Sequence, residues 1–260
     1  MTRSTMAEQP APTPSETRGD GALTIIEHLK ELRYRVMMSS IGVVIGLVIS
    51  AIFADDFLQL LIDPAEKEHP GLRLQFIEPF ENFVTYFRVA LLGGLVVGMP
   101  VIVYHGLRFV TPALHASERM WLYGTVVGST ALFLGGVAFA YFVALPPALN
   151  FLLNFNNDLA EPNIRIGSYV DFVTRLLFWT GVSFQTPLIV MFFARIGLVS
   201  ASQLLRWWRL AFVAAFVVAA IVTPSIDPVT QSLVAGPIIV LYFFGIVLAV
   251  IVQPRRPPKQ

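Results

Sequence analysis

Cysteine is absent from this 260-residue chain, and charge is scarce: Asp, Glu, Lys and Arg together make up 13% of it. The first absence excludes disulfides and thiolate metal sites. The second excludes an ordinary soluble domain, which carries about 25% charged residues to cover itself in water. The net charge of +1 lacks the clustered basic excess that nucleic-acid binding requires. The four histidines (His28, His69, His105 and His115) show no HExxH or comparable ligand spacing, so no metal or other cofactor is expected. No GxSxG-type elbow occurs, and no apolar run holds a His or carboxylate deep enough to serve a serine; an enzyme is not expected. No apolar core precedes Leu23, so no cleavable signal is expected. Residues 1–22, rich in Pro, Ser, Thr and Glu, read as a disordered tail with too little apolar surface to offset ordering entropy.

What is present is apolar: 55% of the residues are hydrophobic. Uncharged runs at 36–53, 89–107, 120–153, 176–194, 210–226 and 228–254 each approach the roughly 20 residues that cross a bilayer as helix. They predict an all-α polytopic membrane protein with a six-span domain at 23–253 and a short tail at 254–260. The third run is too long for one crossing, and Pro146-Pro147 is expected to mark where it leaves the membrane. Two prolines in Thr223-Pro224-Ser225-Ile226-Asp227-Pro228 place a tight turn between the last two spans. That leaves Leu210 to Val222 as a short fifth span, and the last two spans are expected to be short. With the N-terminus inside, thirteen Lys and Arg fall on the cytoplasmic side against three in the outer loops, with Arg88 and Arg175 at spans two and four. Both termini are therefore expected in the cytoplasm.

Polar residues within this apolar frame carry the functional signal. Gly98-Met99-Pro100-Val101-Ile102-Val103 in span two and Gln185-Thr186-Pro187-Leu188-Ile189-Val190 in span four share a pattern. It reads either as an old duplication or as the ordinary tolerance of membrane helices for proline. Gln185, an amide well inside span four, must face a helix or a wet cavity; it serves an internal hydrogen bond or a docking point for another membrane helix. Asp171 and Arg175 are four apart and can pair, and Arg88 lies seven after Glu81 and can reach outward. On the basic inner face stand acids: Glu27, Glu31 and Glu118. Glu31 can pair with Arg35, and Glu118 can answer a helix dipole. Together, carboxylates at an inner face can also clamp a cationic ligand, guanidinium being the natural bidentate partner.

Five segments in register resemble a known family. Glu27-His28-Leu29-Lys30-Glu31-Leu32-Arg33-Tyr34-Arg35 resembles the HLxELRxR signature of TatC, the receptor subunit of the twin-arginine protein translocase. Phe109-Val110-Thr111-Pro112-Ala113-Leu114 with Glu118-Arg119 resembles its first cytoplasmic loop, and Phe139-Ala140-Tyr141-Phe142-Val143-Ala144-Leu145-Pro146 its third-span exit. Gly181-Val182-Ser183-Phe184-Gln185-Thr186-Pro187 resembles its fourth span, and Thr223-Pro224 with Asp227 and Gln231 its last outer turn. The resemblance implies a receptor for signal peptides bearing consecutive arginines, working in a multimeric complex with single-span TatA- and TatB-type partners in the prokaryotic plasma (inner) membrane. Transport of folded cargo would be driven by the proton-motive force. It implies signal contact at Glu31, Arg33, Glu118 and Arg119 with His28 and Leu32 beside them, and partner-helix contact at Gln185, Thr223, Pro224, Asp227 and Gln231. Pro64 matches a functionally sensitive outer-loop proline, and Pro100, Pro112 and Pro187 are expected to shape the spans and loop. Position 185 is often glutamate in the family; here it is glutamine, so no role that needs titration there applies. The rival expectation is a secondary transporter of small solutes, which would use broken helices from internal repeats and rests on the shared proline pattern of spans two and four.

Overall fold

The computed structural model describes residues 14–70, 72, 74–110, 119–154, 164–223 and 227–252, with backbone only at 14–25, 110 and 119–122. Among the described residues the regular structure is helical, apart from an isolated bridge between Gln75 and Arg165. Five helices are long and apolar enough to cross a bilayer: Ile26–Ile52, Glu81–Phe109, Tyr123–Asn154, Ile166–Arg195 and Pro228–Val252; Trp208–Val222 is the shorter sixth. These are the six expected spans.

Span one is α1 (Pro14–Ile52). It begins earlier than expected: residues 14–22, read as tail, carry helical backbone, with Pro14 at a first-turn position where its missing N–H costs nothing. Residues 1–13 and 253–260 lie outside the described residues. A helix that the sequence reading missed follows, α2 (Ala54–Glu68), with Asp55 and Asp56 at its N-terminal, dipole-favoured end. It buries Leu61, Pro64 and Ala65, the stripe of an amphipathic helix too short and too charged to score as a span.

Span two is α3 (Glu81–Val110), unbroken through Pro100. Span three is α4 (Arg119–Phe139), a π-helical turn (Ala140–Ala144) and α5 (Leu145–Asn154). The helix continues through Pro146-Pro147, the point at which the span was expected to leave the membrane. The π turn widens the helix just before the prolines, with the Leu145 N–H reaching back to the Ala140 carbonyl. Both prolines then fall in the first turn of α5, where no N–H is required of them.

Span four is α6 (Ile166–Ser183) and α7 (Thr186–Arg195), parted by a turn at Phe184 and Gln185 because Pro187 cannot continue the ladder. Its most apolar stretch is 50% buried against 11% for span one, which makes span four the central pillar. The short α8 (Ala201–Arg206), closed by a Ser200–Gln203 capping box, leads to span five, α9 (Trp208–Val222). At 15 residues, α9 is roughly 22 Å long, short as expected. Span six, α10 (Pro228–Val252), has 25 residues and full spanning length, so the expectation that both of the last two spans are short is corrected: Pro228 sits at a helix start and the apolar run behind it continues to Val252.

Two kinds of packing hold these elements. Spans one and two close through glycine: a Cβ on Gly46 would stand 2.5 Å from the Gly94 carbonyl oxygen, and one on Gly94 2.7 Å from the Leu47 Cα. The other side of span one, with Val44, Ile45, Val48 and Ile52, is exposed. The main core lies at the end where α2 sits, joining Leu61 and Ala65 to Leu145, Leu149, Val173, Val222 and Val234. A smaller cluster at the opposite end joins Val190 and Ala194 of α7 to Leu204 of α8 and Ile246 and Ala249 of α10.

Candidate functional site

The lead-in of α1 meets the far end of α3. The His28 ring stacks on Phe109, centroids 4.5 Å apart. That contact brings the helical turn bearing Glu31 to the root of the loop that starts after Val110. Glu31 is half-buried and bonded to Arg35 Nη2 at 2.9 Å, the expected i,i+4 pair. Leu32 and Arg33 on the same turn are exposed. Glu118 and Pro112 lie outside the described residues, and Arg119 enters only as the first backbone position of α4.

Gln185 sits at the break in span four, buried among apolar neighbours. Its side-chain oxygen accepts from the Ser129 hydroxyl of span three, and its Nε2 donates to the Ser129 carbonyl at 3.1 Å. Of the two readings open for this amide, the internal hydrogen bond is thus present. Spans three and four come close enough for it because Gly136 and Gly181 face each other; a Cβ on Gly136 would stand 2.9 Å from the Gly181 Cα. The pair forms the polar floor of a cavity of about 440 Å³ whose walls include Met99, Ile102, Leu188 and Phe192. Ser129 escaped the sequence reading, although Thr125 and Ser129, four apart in an otherwise apolar run, share one helix face.

At the other end, Pro64 explains itself. A proline inside a helix frees the carbonyl four residues earlier, here Leu60, and the Tyr141 hydroxyl donates to that oxygen at 2.8 Å. The next carbonyl, Leu61, takes the Tyr169 hydroxyl at 2.6 Å. α2 is thereby tied to spans three and four.

The expected outward reach of Arg88 beside Glu81 is corrected in the same region. Arg88 pairs with Asp171 at 3.1 Å and donates to the Gly167 carbonyl, while Asp171 also holds Arg175 at 3.0 Å. Glu81 is instead bonded to Arg165 Nε at 2.8 Å and accepts the N–H groups of Ile77, Glu78 and Gly167. Arg165 also reaches Glu78 at 3.0 Å, and these bonds, the one to Glu78 foremost, hold its guanidinium above its ordinary range. Span four begins next to span two here, a proximity that residue spacing along one helix does not encode.

The last turn is also internally tied. Asp227 Oδ1 caps α10 by accepting the Thr230 N–H at 2.6 Å, Gln231 Nε2 donates to the Phe216 carbonyl of α9, and the Thr223 hydroxyl donates to the Ala219 carbonyl. Pro224 lies outside the described residues. The proline pattern shared by spans two and four does not give matched structures, since α3 runs straight through Pro100 while span four breaks before Pro187.

Comparison with known proteins follows the same lines. The family described as "Sec-independent protein translocase protein (TatC)" matches residues 27–237. The chloroplastic Sec-independent protein translocase protein TATC of Arabidopsis thaliana is 41% identical over 234 residues, 90% of this chain and 68% of that protein. The Sec-independent protein translocase protein TatC of Synechocystis sp. is 38% identical over 242 residues, 93% of this chain and 94% of that protein. A crystal structure of the twin arginine translocase receptor TatC is similar with a TM-score of 0.79 at 35% identity, over 86% of this chain and 99% of that one.

Proposed function

The chain belongs to the TatC family of Sec-independent protein translocase proteins, and from that membership we propose that it is a receptor for twin-arginine signal peptides, with Glu31 and Glu118 receiving the two guanidinium groups. The observation that carries this reading is the His28–Phe109 stack. It sets the turn bearing Glu31 beside the start of the loop that ends in Glu118 and Arg119.

Glu31 is already paired with an arginine of its own helix, so an incoming guanidinium exchanges one arginine contact for another and leaves no carboxylate stranded. Partial desolvation at the membrane surface strengthens such charge-assisted bonds. Arg33 and Arg119 flank the acids and hold off surplus cationic ligands. Leu32 and His28 supply an apolar and aromatic edge for residues beside the arginines.

The apolar segment of the signal then lies in the cavity floored by Gln185 and Ser129, with single-span TatA- and TatB-type helices packing near it and near the Thr223–Gln231 turn. The complex acts in the prokaryotic plasma membrane with both termini cytoplasmic. It moves folded cargo at the expense of the proton-motive force, as a receptor and not as an enzyme. Pro64, through the Leu60–Tyr141 bond, keeps the outer helix fixed to the bundle during that work.

The test is export of a twin-arginine precursor by cells carrying the double variant Glu31→Lys, Glu118→Lys. Export should be lost while the protein remains inserted at normal abundance. Normal export by the inserted variant would sink the clamp. Photocrosslinking from positions 31, 118 and 185 to a precursor and to small membrane proteins tests the placement of signal and partners separately.

A further inference from the structure

A second cavity lies between spans one and two, adjoining the Gln185 cavity, with Ile102 and Gly106 of span two lining both. It measures about 490 Å³, inside the roughly 300–1,000 Å³ range of small-ligand sites. Val36, Val43, Val44 and Ile102 form its apolar walls, and Arg35 and His105 stand among its lining residues. We propose that this groove binds one anionic phospholipid, its phosphate held by Arg35 and His105 and an acyl chain laid along the valines of span one.

Three observations favour that occupant. First, Arg35 Nε and His105 Nδ1 are both buried with no hydrogen-bond partner. Arg35 spends its Nη2 on Glu31, but Nε remains, and unpaired buried donors are costly. Arg35 Nε is a donor and His105 Nδ1 a donor or an acceptor according to its tautomer; unpaired polar atoms around one apolar cavity ask for a polar head that arrives with an apolar tail. Second, His105 lies within electrostatic reach of both Arg35 and Arg108, and among the described residues the carboxylate bonded there is Glu31. The excess is positive, so the ligand's head is an anion. Third, Val36 and Val44, two of the lining residues, are exposed, so the groove is open at its side. A lipid enters such a groove sideways from its own leaflet, whereas a water-soluble anion would have to cross apolar walls. The proposal rests on membrane embedding alone and not on the signal-peptide reading.

The test begins with the full chain purified in detergent and offered phosphatidylglycerol or phosphatidylcholine, with retained lipid counted by native mass spectrometry. Phosphatidylglycerol should be retained preferentially, and the double variant Arg35→Gln, His105→Leu should hold it about tenfold more weakly, the loss of a charge-assisted bond. Equal retention of both lipids, or unchanged retention by the double variant, overturns the proposal. Because that variant can misfold, the unaltered chain is also photolabelled with phosphatidylglycerol carrying a diazirine on its acyl chain. Label should map to residues 36–44 and 102–109; label spread evenly over the exposed faces of the other spans overturns the site. A twin-arginine peptide that displaced the label would assign the groove to the signal instead of to lipid.

Discussion

Span two holds its charges in opposite ways at its two ends. At the α2 end, Glu81 accepts four hydrogen bonds, and Arg88 pairs with Asp171 and donates to the Gly167 carbonyl, so each charge is answered by groups outside its own helix. At the end nearer the N-terminus of the chain, Arg108 leans on Tyr104 of its own helix, and among the described residues Glu31 pairs with its helix neighbour Arg35. Arg35 Nε and His105 Nδ1 have no partner there among the described residues. Charges answered from other elements fasten the scaffold, and removing one leaves its partners stranded. Charges answered within one helix are weakly committed and can be handed to a ligand at little cost. The difference separates the end that builds the bundle from the end proposed to bind.

Glu81→Ala is the strongest way to break this contrast. It leaves Arg165 with Glu78 alone, strands three N–H groups at once, and unpins the start of span four from the Glu81 carboxylate. Tm of the purified protein should fall by on the order of 5 °C. Glu81→Gln, which keeps acceptor oxygen for some of the N–H groups but loses the charge, should fall between. A Glu81→Ala protein as stable as the unaltered one would show that the network is decoration and that the two ends do not differ.

Much of this was legible in the sequence because it follows from composition and short spacing. Six apolar runs gave six spans, the Thr223–Pro228 prolines gave the last turn, and the i,i+4 pairs Glu31–Arg35 and Asp171–Arg175 formed as their spacing required. The misses were contacts between elements. Arg88 was expected to reach outward, but Asp171 of another span answers it. Pro146-Pro147 sits inside a continuing helix although a proline normally interrupts the ladder; the π turn at Ala140–Ala144 removes the conflict. Pro64 could be singled out, but its reason, a carbonyl freed for Tyr141, needs the distance between residues 81 apart in sequence. Gln185 was found because an amide in hydrocarbon must be explained, while its partner Ser129, a small hydroxyl of a type that often satisfies itself on its own helix, gave no such warning.

Gln185→Leu tests the middle of the bundle and should have an intermediate effect. It removes two hydrogen bonds to Ser129, but the hydroxyl can turn to a carbonyl of its own helix, so the cost should be about 1–2 kcal/mol. Unfolding by denaturant titration in detergent measures it. If stability falls by that amount while crosslinks from neighbouring position 188 to a partner helix persist, the amide serves the scaffold. If stability holds and the crosslinks vanish, it belongs with the binding end.

Glu31→Gln is the smallest change in stability and the sharpest in function. The pair it breaks is an i,i+4 contact on a partly exposed helix face, worth about 0.3–0.5 kcal/mol, so thermal unfolding should move by no more than about 1 °C. Binding of a twin-arginine peptide should nevertheless weaken about tenfold, because the neutral amide accepts a guanidinium without the charge-assisted part of the bond. The double-mutant partner is Arg35→Gln. If Arg35 competes with the signal for Glu31, removing it alone should tighten peptide binding, and the gain should disappear in the Glu31→Gln background. A loss of stability in Glu31→Gln as large as that in Glu81→Ala would place Glu31 in the scaffold, and the contrast between the two ends would fail at the residue on which the receptor reading depends.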